Sequence, residues 1–106
     1  MKFKCNQSVL TKALNIVSKA VTSRTTIPIL KGILLEVSEE GILKMSSSDL
    51  DITIEETIEV EDAAAGSIVV QSKLFGDIIR KLPNADVTVT LEDSNVNIKC
   101  MNSQFS

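Results

Sequence analysis

Lys73 to Pro83 reads KLFGDIIRKLP, and about sixty-four residues earlier Gln7 to Lys19 reads QSVLTKALNIVSK. A Gln-Ser pair opens the first stretch at Gln7-Ser8 and immediately precedes the second at Gln71-Ser72, and each copy follows a short apolar segment and precedes a series of strand-like ones. In the first, Leu10, Ala13, Leu14, Val17 and Val21 recur at helical spacing, with Ser8, Lys12, Asn15 and Lys19 along the other side. In the second, Leu74, Phe75, Ile78, Ile79 and Leu82 make the buried side, Lys73, Asp77 and Arg80 the outer face, and Lys81 lies at its margin. Pro83 ends that helix, because it offers no backbone N–H and its ring clashes with the preceding turn. Two amphipathic helices in one repeated context predict an internally duplicated domain, with repeats at about 1–62 and 66–106.

The flanking segments fill in the repeat. Lys2–Cys5 reads as a strand, and Asn6 or Ser8 can cap a helix reaching about Val21. Pro28 disfavours helix at Ile27 and starts an extended run, Ile29–Val37, which turns near Glu40-Gly41 into Ile42–Ser47. A third strand runs from about Leu50 to Val60, with Ile52, Ile54 and Ile58 on one phase. Ala63–Gly66 reads as a small-residue connection, Ser67–Val70 as the next strand, and Ser72 as the N-cap of the second helix. Val87, Val89 and Leu91 alternate with polar residues, Asp93-Ser94 makes a turn, and Val96, Ile98 and Cys100 alternate again. Met101–Ser106 opens one more strand, which reads as truncated. The predicted class is α+β: a β-α-β-β-β unit written twice, with two helices packed on antiparallel sheets.

Composition removes several functions. The 106 residues, 43% hydrophobic, suit one domain with a real core. No run approaches the roughly twenty apolar residues of a membrane span, and the Met-Lys-Phe-Lys start lacks a signal-peptide hydrophobic region, so a cytoplasmic protein without membrane contact is expected. Cys5 and Cys100 fall on apolar phases and are expected as buried reduced thiols. With no histidine there is no ordinary base tuned near neutrality and no Ser-His or Cys-His nucleophile, so catalysis is not expected. The acidic run Glu55–Asp62 lacks the glycine-bearing spacing of a calcium loop, and no metal or cofactor is expected. Trp and Tyr are absent, and Phe3, Phe75 and Phe105 sit on apolar phases, so no stacking platform for single strands is evident.

Charge is segregated along the chain. Met1–Leu35 carries six bases (Lys2, Lys4, Lys12, Lys19, Arg24, Lys31) and no acid, whereas Glu36–Val70 carries ten acids against Lys44 alone. Basic helix faces with an acidic remainder suit a surface lying along a polyanion; solvated surface bases are the plain alternative. Two other readings stay open on the residues alone. One is a small α+β protein-interaction module using strand edges. The other is an enzyme holding a hard cation with Asp49, Asp51 and the acidic run. Asp77 suits an i,i+3 or i,i+4 ion pair better than a catalytic carboxylate.

Arg24-Thr25-Thr26-Ile27-Pro28-Ile29-Leu30, the Asp49-Leu50 pair, Phe75-x-Asp77-Ile78-x-Arg80-x-Leu82-Pro83, the terminal Phe105-Ser106 and the Met-Lys-Phe start occur in the order found in one family. Over essentially all 106 residues the chain resembles the bacterial DNA polymerase III beta subunit, the sliding clamp. The resemblance covers the first of three similar domains. It implies a DNA-clamp fold and a non-catalytic processivity factor. Two full-length protomers would pair head to tail into a ring around duplex DNA, with helices lining the hole. Arg24 and Lys73 would contact the duplex backbone, with Lys12, Lys19, Arg80 and Lys81 as electrostatic lining. Phe105 would lie on the edge strand at the protomer interface, joined by Leu74 and Ile78. Polymerase and clamp loader would bind through the two other domains. Where relatives often carry arginines before the aromatic, this chain has Asn102, Ser103 and Gln104, so interface ion pairs are not implied.

Overall fold

The computed structural model describes residues 1–20, 32–48, 52–93, 95–101 and 103–105. Strand β1 (Lys2–Asn6) leads into helix α1 (Gln7–Val17), which tightens into a 3-10 turn over Ser18–Ala20. Strands β2 (Gly32–Val37), β3 (Ile42–Ser48), β4 (Thr53–Glu59) and β5 (Glu61–Ala64) follow. The second repeat comprises β6 (Gly66–Gln71), α2 (Ser72–Lys81), β7 (Asp86–Glu92), β8 (Asn95–Cys100) and β9 (Ser103–Phe105). Arg24, Pro28, Asp49 and Val21, on which part of the sequence reading rests, lie outside the described residues.

The two sheets exchange their first strands. One has the order β5-β1-β7-β8-β9 and the other β4-β3-β2-β6, all pairings antiparallel. Thus β1 of the first repeat joins the hairpin strands of the second, and β6 of the second joins those of the first. The registers match: Asn6 pairs with Asp86 and Cys5 with Val87, while Gln71 pairs with Gly32 and Val70 with Ile33. The first helical residues, Gln7 and Ser72, are therefore the equivalent pair. The repeat offset is 65, one more than the Gln-Ser pairs suggest.

Alternation decides which side of each strand is buried. Phe3, Cys5, Val87, Val89, Ile98 and Cys100 of one sheet and Ile33, Leu35, Val37, Leu43 and Met45 of the other meet Leu10, Leu14, Val17, Phe75, Ile79 and Leu82 in one apolar core. Both thiols are buried, and Val87 separates them in register, Cys5 on one side and Cys100 on the other. Two strand spacings put them about 10 Å apart, beyond the reach of a disulfide. Desolvation, with a smaller contribution from the Asp86 carboxylate, pushes the Cys5 thiol from 9.0 up to about 12.

Four local expectations change. Ala63–Gly66 is largely strand: β5 pairs with the outer edge of β1, Lys2 opposite Ala64, because an open strand edge satisfies backbone groups whatever the side chains. Of the strand expected over Leu50–Val60, the described part is Thr53–Glu59, with Ile52 and Val60 outside it, and the chain then crosses to the other sheet. Ser72 is the first helical residue rather than the N-cap; Gln71 holds that position without a side-chain bond, and the Ser72 hydroxyl is buried against Ser18. Leu74 is 59% exposed and Ile78 only partly buried, so the buried side of α2 is narrower and centres on Phe75, Gly76 and Ile79. At α1, Asn6 is the N-cap, its side chain accepting from the Ser8 N–H at 2.9 Å. Gly41, at φ +88°, closes the β2–β3 turn in a conformation that disfavours L side chains.

Candidate nucleic-acid interface

The two helices run antiparallel, each tied to the other near its ends. Gln7, the first residue of α1, is buried, and its Nε2 donates to the Ile79 carbonyl of α2 at 2.9 Å. At the opposite end the Ser18 and Ser72 hydroxyls share a hydrogen bond of 3.2 Å. Equivalent positions in the repeat, Gln7 and Ser72, thus make equivalent ties by different chemistry. The Ser47 hydroxyl donates to the Val17 carbonyl, holding the end of α1 onto β3.

On the solvent side a third link joins the helices. Arg80 Nε donates to Asn15 Oδ1 at 3.1 Å, and Arg80 Nη1 lies 3.5 Å from Asp77 Oδ1. The guanidinium lies back over Gly76, where an added Cβ would approach Nη1 to 2.9 Å. An exposed arginine tip can shift at little cost, so this contact does not by itself require a glycine.

These ties set out the predicted bases. Lys12, Lys19, Lys73, Arg80 and Lys81 are all exposed. Lys12, Asn15 and Lys19 form one strip of α1 and the following turn, and the Asn15–Arg80 bond sets it beside the outer face of α2. Among the described residues Lys12, Lys19, Lys73 and Lys81 form no ion pair, whereas Arg80 is held by Asp77 and Asn15. Within the helices and the 3-10 turn five bases stand against one acid, Asp77. The strands β2 to β5 and their turns carry Glu36, Glu39, Glu40, Glu55, Glu56, Glu59, Glu61 and Asp62 against Lys44. No group of three or more His, Cys, Asp or Glu among the described residues is arranged to hold a metal. No described helix is long and apolar enough to cross a membrane.

Between α2 and strands β6 and β8 lies an apolar groove of about 310 Å³, lined in part by Ile68, Val69, Leu74, Ile78 and Val96. Phe105 of β9 pairs with Ile98 of β8, at the adjoining edge of the five-stranded sheet.

The sequence model of the DNA polymerase III beta subunit, N-terminal domain, matches residues 1–106. The chain belongs to this family. It is 41% identical over 108 residues to the beta sliding clamp of Vibrio harveyi, covering 100% of this chain and 74% of that protein. It is 34% identical over 106 residues to the Micrococcus luteus beta sliding clamp and 40% identical over 104 residues to that of Halalkalibacterium halodurans. Those matches cover 100% and 91% of this chain but 34% and 27% of the two relatives, so the chain spans about a third or less of their length. Among solved structures, the Bacillus subtilis DNA polymerase sliding clamp superposes with a TM-score of 0.90 at 36% identity, covering 99% of this chain and 30% of that one. The Caulobacter crescentus pol III beta structure gives 0.91 at 36% identity, covering 99% and 28%. The α+β fold expected from the duplicated sequence is the observed one, and it is the clamp fold that the resemblance implied.

In this beta-subunit domain, sequence reasoning overlooked Val69 and Val96 as groove residues. The signal was available for Val69: in an alternating strand, the consecutive Ile68-Val69-Val70 must turn one apolar side chain outward, and Val69 is 48% exposed. Val96 gave no such signal, since it lies on the same phase as the buried Ile98.

Proposed function

We propose that this chain acts as the first domain of a beta sliding clamp, a non-catalytic processivity factor that encircles duplex DNA and tethers the replicative polymerase in the cytoplasm. The observation that carries the reading is the tied helix pair, with five bases and one acid, on a domain whose outer strands are acidic. Lysines free of ion pairs make loose, salt-dependent contacts with phosphates, which suit a ring that must hold DNA without stopping on it. Lys73 and Arg24 are assigned the closest approach to the backbone, with Lys12, Lys19, Arg80 and Lys81 as lining. Backbone contacts of this kind carry no base information, so recognition is indifferent to sequence. The exposed Leu74, with Ile78 and the β9 edge bearing Phe105, is assigned to the head-to-tail protomer interface. Polymerase and clamp loader are assigned to the other domains of the full-length protein.

The test uses the full-length protein loaded onto nicked circular duplex by its clamp loader and ATP, washed in high salt, after which the circle is linearised. Retention on the circle with release on cutting is the expected result. Loss from the intact circle in salt would reduce the role to electrostatic binding, and no association would favour a protein-interaction module. Combining Arg24→Ala with Lys73→Ala is expected to weaken DNA contact while leaving Tm nearly unchanged.

A further inference from the structure

Asp77 is the one acid within the described helices, and it sits among their bases. Lys73 precedes it by four residues, Lys81 follows by four and Arg80 by three, so all three lie within one helical turn of its carboxylate. The carboxylate is partly exposed, 3.5 Å from the Arg80 guanidinium. If Arg80 needed only to be held in place, the Asn15 side chain, 3.1 Å from Nε, already does so without a charge. Asp77 adds something that Asn15 does not: it offsets about one positive charge at the centre of the basic face.

We propose that Asp77 tunes how tightly this face grips DNA, lowering affinity for the phosphate backbone so that the ring remains mobile. The inference rests on the reading of the helix face as the DNA-facing one. Phosphate binding by cations releases counterions, and the slope of log K against log salt counts the charges engaged. A carboxylate paired with Arg80 removes most of that residue's contribution to the count. Replacing it with the isosteric amide frees the contribution while leaving Arg80 bonded to Asn15.

The experiment measures binding of the full-length protein to a labelled linear duplex by fluorescence anisotropy across a salt series, for wild type, Asp77→Asn, Asp77→Glu and Lys73→Ala. Asp77→Asn is expected to tighten binding about 3- to 10-fold at low salt and to steepen the slope by about one. Asp77→Glu, which keeps the charge, is expected to bind as wild type. A merely structural ion pair would move Tm in Asp77→Asn and leave the salt slope alone. If Lys73→Ala weakens binding and Asp77→Asn leaves affinity and slope unchanged, the tuning role is wrong and the DNA-facing assignment stands. If Lys73→Ala also has no effect, the assignment of the face falls and takes the tuning role with it.

Discussion

The two repeats bury the same things and show different ones. Leu10 and Phe75, Leu14 and Ile79, Val17 and Leu82, Ile33 and Val87, Leu35 and Val89 are equivalent pairs, and every member is buried. Outside the core the equivalence fails. Helix α1 begins with a side-chain cap at Asn6 and α2 begins without one at Gln71. The outer edge of β1 is paired with β5, whereas among the described residues the corresponding edge of β6 carries no strand. One helix with its 3-10 turn exposes Ser8, Lys12, Asn15 and Lys19, the other a cation cluster around Asp77 next to an apolar groove. Close packing constrains volume and shape at every buried position, so a duplicated core stays duplicated, while an exposed position can change at little cost.

The largest test of that comparison removes volume from equivalent core sites. Leu10→Ala is expected to cost about 2–5 kcal/mol and Phe75→Ala about 3–5 kcal/mol in urea unfolding, each within a single transition. Two separate transitions would mean that the repeats are independent units, contrary to one shared core. Next in size are the helix ties. Gln7→Ala removes a buried hydrogen bond and leaves the Ile79 carbonyl with the Leu82 N–H at 3.2 Å, and is expected to cost about 1.5 kcal/mol. Ser72→Ala, which breaks a weaker hydroxyl pair, should cost less; equal losses would remove the asymmetry. The caps come third: Asn6→Ala should lower stability by about 1 kcal/mol and Gln71→Ala by a few tenths at most, since only Asn6 makes a capping bond.

The smallest effect near neutrality separates Cys5 from its counterpart Val70. Burial favours the neutral thiol, so the unfolded chain loses this proton first as pH rises. The contribution of Cys5 is full below 9.0 and is lost as pH climbs toward about 12. Cys5→Val should flatten the alkaline fall in Tm; an unchanged profile would place its cause elsewhere.

The fold was legible because its evidence is periodic. Helical spacing in Leu10, Leu14 and Val17, and alternation in Val87, Val89, Ile98 and Cys100, mark buried faces directly. What escaped was decided by partners distant in the chain. Nothing in Glu61–Ala64 announces a strand; the edge of β1 makes it one. Nothing at Ser72 says that its hydroxyl will turn toward Ser18, 54 residues away, instead of capping its own helix. At the site, the bases and the Asp77–Arg80 pair were readable from helical spacing, but the Asn15–Arg80 link needed the helices to be docked.

The exchange of first strands between the sheets also orders events in time. During synthesis β6 emerges after β2 and finds its neighbour already made. For β1 the order is reversed: its partner β7 follows it by about eighty residues, on the order of ten seconds at typical elongation rates. Until then β1 can pair only with β5, itself about sixty residues later, so Phe3 and Cys5 lack the sheet that buries them and the second repeat must be translated before the first can finish folding.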